Sequence, residues 1–234
     1  MTIRIKVWDL PLRIFHWLLV ASVVAAFTTG ELGGLLIDWH GRIGLLVLGL
    51  LVFRLIWGFI GSSYARFASF FPTPARILVY LKGGWKGHGH NPLGGLSVLA
   101  LLGILAILVG TGLFANDDIA FEGPLSALVN KDLSDSLTGW HELIFNVLAG
   151  LVALHVAAIV FYLKVKKTNL VIPMVTGEKS VPVTEASKLK HAGTVHFVVA
   201  LAVSGIVVWA IFSGELVHFF QPPQVVVPAT TQNW

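Results

Sequence analysis

Apolar residues form five long runs along the chain, and shorter polar segments separate them. A helix needs about 20 consecutive apolar residues to cross the hydrocarbon core of a bilayer. The runs lie at residues 12–30, 39–60, 93–114, 137–163 and 194–213. The pattern therefore predicts an all-α integral membrane protein with five transmembrane helices.

Local signals mark where helices begin. Asp9-Leu10-Pro11 and Asn91-Pro92 each place a polar capping residue before a proline, as at the first turn of many helices. Thr73-Pro74, followed by an apolar turn and Gly83-Gly84, predicts a short helix over residues 75–82 on the membrane surface.

The remaining segments carry weaker signals. A short helix is expected near residues 125–129. The segment 168–188 contains two prolines and a glycine and is predicted to be extended. The tail from Gln221 holds three prolines and a valine run, and we interpret it as an arm that lies on a partner.

Composition agrees with a membrane protein. The chain is 56% hydrophobic and 12% charged, and a soluble domain carries about 25% charged residues. Arg13 and His16 interrupt the first apolar run, so we expect it to be a retained helix rather than a cleaved signal peptide. The chain has no cysteine, which excludes disulfides, iron–sulfur clusters and covalently attached haem.

Basic and acidic residues lie at opposite ends of the predicted helices. One end, called the basic face below, carries Arg4, Lys6, Arg13, Arg54, Arg66, Arg76, Lys82, Lys86, Lys164, Lys166, Lys167, Lys179, Lys188 and Lys190. The other end, the acidic face, carries Glu31, Asp38, Asp117, Asp118, Glu122, Asp132, Asp135 and Glu215, with only Arg42 and Lys131 as basic residues. The positive-inside rule predicts a cytoplasmic N-terminus and a periplasmic C-terminus. The net charge of +4 is thus a topology signal, and nucleic acid is not expected as a partner.

Four histidines lie inside the apolar runs, and two of them, His141 and His155, share the fourth. Their spacing of fourteen residues returns to nearly the same helix face after roughly 21 Å, at about 100° and 1.5 Å per residue. Sorted by depth, His16 pairs with His155 near the basic face, and His40 pairs with His141 near the acidic face. Two bis-histidine b-type haems at two depths, held without covalent bonds, follow from this arrangement.

Other interpretations of the histidines stay open at this point. They could be polar residues bonded between helices, or members of a proton relay, although a relay usually also needs buried carboxylates. His88 and His90, in a glycine-rich loop, are expected to be solvated, and His191, His196 and His218 have no partner at a matching depth.

Three arginines are candidates for contact with the anionic haem propionates. Arg54 lies fourteen residues after His40 and so returns to the same helix face at the depth of the other pair. Arg42 is close to His40, and Arg13 comes three residues before His16. An arginine fork pairs well with a carboxylate, and snorkelling to lipid phosphates is the alternative.

Five stretches together resemble the bacterial di-haem cytochrome b561 family, which includes the b-type cytochrome subunits of nickel-iron hydrogenases. They are WDLPLRIFHW (8–17), WHGRIG (39–44), FRLIWGFIGSSYARF (53–67), GHNPLGG (89–95) and HELIFNVLAGLVALH (141–155). The resemblance implies a four-helix bundle that holds two b haems through His16, His40, His141 and His155. It also implies electron exchange between the quinone pool and a partner outside the membrane.

We therefore expect a four-helix haem domain over residues 1–170, a cytoplasmic linker over 171–188, and a fifth helix with a periplasmic tail over 189–234, in a bacterial inner membrane. The leading hypothesis is a transmembrane electron-transfer cytochrome that contacts lipid, quinone and a periplasmic redox protein such as a c-type cytochrome. Alternatives are an enzyme that passes electrons from superoxide to quinone, a subunit of a hydrogenase-like complex, and a haem-free scaffold or transporter. A superoxide site would gain from a basic funnel, and this outer face is acidic.

Overall fold

A computed structural model describes residues 1–85, 87–119, 121–185 and 190–220, so the predicted arm from Gln221 and the basic residues Lys86 and Lys188 lie outside the described residues. The protein is an all-α membrane protein whose five long helices are each apolar enough to cross a bilayer, as predicted. They are α1 (Leu10–Leu32), α2 (Ile37–Ile60), α5 (Pro92–Gly112), α6 (Lys131–Lys164) and α8 (Thr194–Phe212). Shorter helices are α3 (Phe67–Phe70), α4 (Pro74–Leu81), α7 (Val171–Thr176) and α9 (Glu215–Phe220).

Side-chain caps define the starts of three long helices. The carboxylate of Asp9 accepts a hydrogen bond from the Leu12 amide at 2.9 Å, and the Asn91 side chain accepts one from the Gly94 amide at 2.7 Å. Helix α6 begins at Lys131, six residues before the predicted start. The Asn130 side chain caps the Leu133 amide there, so the polar turns that follow stay helical beyond the apolar run.

The long helices pack as antiparallel neighbours. Helix α1 lies against α2, α5 lies against α6, and α2 also contacts α5. Helices α1 and α6 meet through side chains, with the rings of Phe27 and Phe145 stacked 5.3 Å apart. Helix α8 packs on α2 alongside the bundle, where Phe197 contacts Phe53 and Trp57. Many large apolar side chains on these helices are exposed, as expected for surfaces that face lipid.

A small structured layer covers the basic face. Strand β1 (Thr2–Lys6) pairs antiparallel with β2 (Glu178–Pro182). The segment 168–188 was predicted to be extended. That prediction is confirmed at β2 and is wrong at Val171–Thr176, which form α7. The Asn169 side chain accepts hydrogen bonds from the amides of Val171 and Ile172, and Gly177 ends the turn at a φ of 84°, so a helix forms between them.

Two further short elements were expected. The predicted short helix is confirmed as α4, with the Thr73 hydroxyl as its cap. The Tyr80 hydroxyl bonds to that of Tyr162 on α6, which also accepts a hydrogen bond from Asn91 at 2.8 Å. This bond to Tyr162, together with burial, raises the pKa of Tyr80 to about 12.

Near residues 125–129 the chain forms a single 3₁₀ turn, Ser126–Leu128.

Candidate functional site

His40 on α2 and His141 on α6 face each other across the bundle near the acidic face. Their ring centroids are 5.9 Å apart, and the ring planes are inclined at 83°. An imidazole nitrogen binds a transition metal at about 2 Å, so two rings on opposite sides of one metal ion have centroids roughly 6 Å apart. The observed separation matches that arrangement. We call these two residues the far pair.

Each ring of the far pair is held by a backbone carbonyl of another helix. His40 Nδ1 lies 2.8 Å from the Ala26 oxygen, and His141 Nδ1 lies 2.8 Å from the Leu108 oxygen. A carbonyl oxygen only accepts, so both Nδ1 atoms carry the proton and donate it. Both Nε2 atoms consequently keep a free lone pair, which is the tautomer that a metal ligand needs.

Two glycines make room for these rings. Gly30 lies four residues after Ala26, and a Cβ atom there would be 2.9 Å from His40 Nδ1. Gly112 lies four residues after Leu108, and a Cβ atom there would be 2.8 Å from His141 Cε1. Neither glycine was predicted from the sequence as part of the site. The signal was available, because each glycine sits in an apolar helix near the depth of a candidate ligand.

A cavity of about 540 Å³ opens around the far pair, between α1, α2, α5 and α6. Its walls are mainly apolar and include Val47, Leu105 and Leu148. Three carboxylates, Glu31, Asp117 and Glu142, stand at its edge, and all three are exposed. This size falls within the range of about 300–1,000 Å³ that small-molecule and cofactor sites occupy.

The near pair, His16 on α1 and His155 on α6, lies toward the basic face. The two imidazoles are close enough to interact electrostatically. His16 Nδ1 is buried and has no hydrogen-bond partner. The far pair is thus in ring contact, whereas the two near histidines lie within electrostatic range of each other and His16 lacks the carbonyl bond that orients each far ring.

Arg54 and both histidines of the near pair lie within electrostatic range of His90. Arg54 is only 2% exposed, and its guanidinium carbon lies 4.7 Å from the centroid of the Phe67 ring. Its Nη1 atom is buried without a hydrogen-bond partner. Burying a cation whose hydrogen-bond donor has no acceptor costs free energy, unless a group of opposite charge binds to it.

His90 is a further member of this cluster, and the expectation that it is solvated is wrong. Its ring lies between Trp8, at 4.6 Å, and Phe70, at 4.8 Å, and its Nδ1 atom is buried without a partner. Burial, with the nearby charges of Arg54, His16 and His155, lowers the pKa of His90 to about 3. Only tertiary packing brings Trp8 and Phe70 to this loop, and the one sequence signal at His90 was its place in the stretch GHNPLGG (89–95).

The other two arginines have different surroundings. Arg13 donates from Nη1 to the Val175 carbonyl on α7, and its Nε atom is buried without a partner. Arg42 is exposed and lies 5.3 Å from the Trp39 ring, a position typical of an anchor at the membrane surface. Arg42 does not line the cavity of the far pair.

A comparison with protein-family models matches residues 7–177 to the prokaryotic cytochrome b561 model. The chain belongs to the prokaryotic cytochrome b561 family. It is therefore a multi-pass bacterial membrane protein and a transmembrane b-type cytochrome that takes part in electron transfer. The match ends at Gly177, so β2, α8 and α9 of this cytochrome b561 lie beyond it. Comparisons with curated proteins and with solved structures returned no match.

The residues of this cytochrome b561 fit the b haem that its family implies. The imidazoles come in pairs, and among the described residues no group of three or more His, Cys, Asp or Glu side chains could hold a bare metal ion. Haem iron takes two ligands from the protein, because the porphyrin supplies the other four. A pair of histidines therefore suits it. The unpartnered Nη1 atom of Arg54 suits a propionate, which is an anion.

Proposed function

We propose that the protein is a di-haem cytochrome b that exchanges electrons between the quinone pool and a periplasmic redox protein such as a c-type cytochrome. The observation that carries this proposal is the presence of two histidine pairs at two depths of one bundle. Both pairs use α6, through His141 and His155, which are separated by fourteen residues or roughly 21 Å along the helix. A bilayer core is about 30 Å thick, so the pairs lie toward its two sides.

In this proposal each pair binds one haem without covalent bonds. His40 and His141 ligate the first, and His16 and His155 ligate the second. A haem iron with two histidine ligands supplies one-electron exchange, and the protein sets its potential through ligands, charge and burial. Arg54 and His90 each offer a buried, unpartnered nitrogen next to the near pair, so we assign both to the propionates of the second haem. Arg13 and Arg42 are not assigned to propionates in this proposal, because Arg13 lines a separate cavity on the basic face and Arg42 is exposed and lies over Trp39.

The charge distribution supports the choice of partner. With the basic face in the cytoplasm, the acidic face and the cavity of the far pair are periplasmic. Glu31, Asp117 and Glu142 stand at the edge of that cavity. Negative charge at this edge attracts a basic redox protein and repels superoxide, which is an anion. We therefore favour the c-type cytochrome over superoxide as the periplasmic reactant. Membership in a hydrogenase-like complex is the third candidate, and it also places the redox partner on this side.

The proposal is tested with the purified protein in liposomes. A reduced-minus-oxidised spectrum should be of the b type and correspond to two haems per chain. With a quinol in the membrane and oxidised c-type cytochrome outside, we expect reduction of the outer cytochrome that depends on the protein. A preparation without haem, from cells that contain ample haem, would refute the proposal. Rapid reduction of quinone by superoxide, without electron exchange with the cytochrome, would favour the enzymatic alternative.

A further inference from the structure

A hairpin on the acidic face forms one wall of the cavity of the far pair. Its arms, residues 113–117 and 121–125, follow α5, and they contribute to the cavity lining Leu113, Ala115, Asn116, Asp117, Phe121 and Pro124. We propose that Phe121 determines which reactants reach the far site, because its ring excludes small dissolved molecules and leaves electron exchange to a protein docked outside. The inference rests on the proposed function and deepens it, since it adds a residue that selects the periplasmic reactant.

The Phe121 ring packs directly against α2, beside a ligand of the far pair. A Cβ atom at Gly41, the residue after His40, would lie 2.7 Å from Phe121 Cε2. Carbon atoms in favourable contact are about 3.5–4.0 Å apart, so only glycine at this position allows the ring to lie so close to the helix. Phe121 is half-buried and lines the cavity, so its ring separates part of the cavity from solvent.

Hydrogen bonds within the hairpin fix the position of Phe121. The Phe121 amide donates to the Asp117 carboxylate at 2.8 Å, and the Asp117 amide donates to the Phe121 carbonyl at 3.1 Å. The Gly123 amide donates to the Ala115 carbonyl at 2.7 Å and joins the two arms further along. A side chain held on a bonded hairpin forms a defined wall.

The first arm of the hairpin is anchored to the polar turns at the start of α6. The Asn116 amide donates to the Thr138 hydroxyl at 3.1 Å, and the Asn116 side chain donates to Ser134 at 2.7 Å and to Asp135 at 2.8 Å. The Ser134 hydroxyl in turn donates to the Phe114 carbonyl at 2.6 Å. These contacts give a role to the turns of α6 that extend beyond its apolar run.

The second arm is supported by the part of the chain beyond the family match. Leu125 is 8% exposed and packs in one apolar cluster with Leu45 of α2 and Ile211 of α8. Helix α9 contacts the 3₁₀ turn Ser126–Leu128, which directly follows this arm. Helices α8 and α9 therefore hold the hairpin against the cavity from the side opposite α6.

This wall favours a protein as the reactant. A docked redox protein exchanges one electron with the far site across the Phe121 ring, so that one partner is oxidised, the other is reduced, and no atom enters the cavity. A small molecule instead has to pass the ring and the exposed carboxylates Glu31, Asp117 and Glu142, which also repel an anion such as superoxide.

The chain has no cysteine, so a single introduced thiol reports access to the cavity. Ala115→Cys places that thiol in the lining, at a residue that is 8% exposed, in the haem-loaded full chain. We expect a positively charged methanethiosulfonate reagent to label it about tenfold faster once Phe121→Ala is added, because truncation of a packed ring leaves a cavity. Ile119→Ala is the matched control, since Ile119 lies in the same hairpin, is 91% exposed and does not line the cavity.

Gly41→Ala is a second variant, which displaces the ring without removing it and should also speed labelling. It keeps the test decisive if Phe121→Ala loses the far haem, and haem content is measured for every variant. Faster labelling in both variants and an unchanged rate in Ile119→Ala support the inference. An unchanged labelling rate in a variant of Phe121 or Gly41 that retains two haems overturns it and leaves the proposed function intact.

The variants without the added cysteine are then followed by haem reduction. Phe121→Ala should raise the rate with superoxide relative to the rate with a reduced c-type cytochrome, and Ile119→Ala should leave this ratio unchanged. An unchanged ratio in Phe121→Ala overturns the selection of the reactant by the ring. Failure of the unaltered protein to exchange electrons with the c-type cytochrome overturns both the inference and the partner in the proposed function.

Discussion

The far and near histidine pairs occupy the same bundle, but they are organised differently. In the far pair, both rings donate to backbone carbonyls, and a glycine lies against each ring. In the near pair, His16 Nδ1 is buried without a partner, and the adjacent Arg54 and His90 also have unpartnered nitrogens. Among the described residues, all five buried side-chain atoms that lack a hydrogen bond lie in the half toward the basic face.

The two sites therefore differ in where their buried nitrogens find hydrogen-bond partners. The far rings are oriented by the fold itself, because their partners are main-chain atoms of α1 and α5. In the near site, by contrast, buried nitrogens have no acceptor within the protein, and an anionic group would supply one. We infer that haem binding stabilises the near half of the fold more than the far half.

The two sites also differ in charge, and the difference predicts the order of their potentials. A cation near haem stabilises the reduced form, and anions or stronger imidazole hydrogen bonds stabilise the oxidised form. Arg54 lies beside the near pair, and three carboxylates stand at the edge of the far cavity. We expect the near haem to have the higher potential of the two.

The largest effect is expected from the glycines of the far site. Gly112→Ala places a Cβ atom 2.8 Å from His141 Cε1, which forces the ring away from the Leu108 carbonyl. We expect loss of most of the far haem and retention of the near haem, measured by the haem content of the purified protein. Gly110→Ala is the control on the same helix, because a Cβ atom there meets nothing within 4 Å. Equal haem content in the two variants would contradict the role of Gly112.

A smaller effect is expected from the arginine of the near site. Arg54→Gln removes a unit charge, which at roughly 10 Å and an effective dielectric constant of about 20 is worth about 1.7 kcal/mol, or roughly 70 mV for one electron. Redox titration should show the near haem lower by this amount and the far haem unchanged. Arg54→Lys should restore at least half of the difference. Arg42→Gln, which removes an exposed arginine over Trp39, should leave the near haem unaffected.

The smallest effect is expected at the acidic edge of the far cavity. Glu142 is exposed, and water and salt screen its charge. Glu142→Gln should therefore raise the far potential by only about 10–30 mV at low salt, and by less at high salt. Asp132→Asn, ten residues earlier on the same helix and outside the cavity lining, is the control. A larger shift at the near haem than at the far haem would contradict the assignment of depth.

Much of this architecture was predictable from sequence, because the membrane imposes simple rules. Apolar runs long enough to span the bilayer identified all five long helices, and the fourteen-residue spacings of His141 with His155 and of His40 with Arg54 placed these residues at two depths. The features that could not be predicted depend on tertiary contact. The enclosure of His90 by Trp8 and Phe70, and the pairing of β1 with β2, each join segments that are distant in sequence.

We expect the two histidine pairs to bind two separate haems. The most direct measurement is the haem content and redox titration of the unaltered protein beside His40→Ala and His155→Ala. We expect two haems in the unaltered protein and one in each variant, with the low-potential haem lost from His40→Ala and the high-potential haem lost from His155→Ala. Loss of the same haem from both variants, or a single haem in the unaltered protein, would contradict the account.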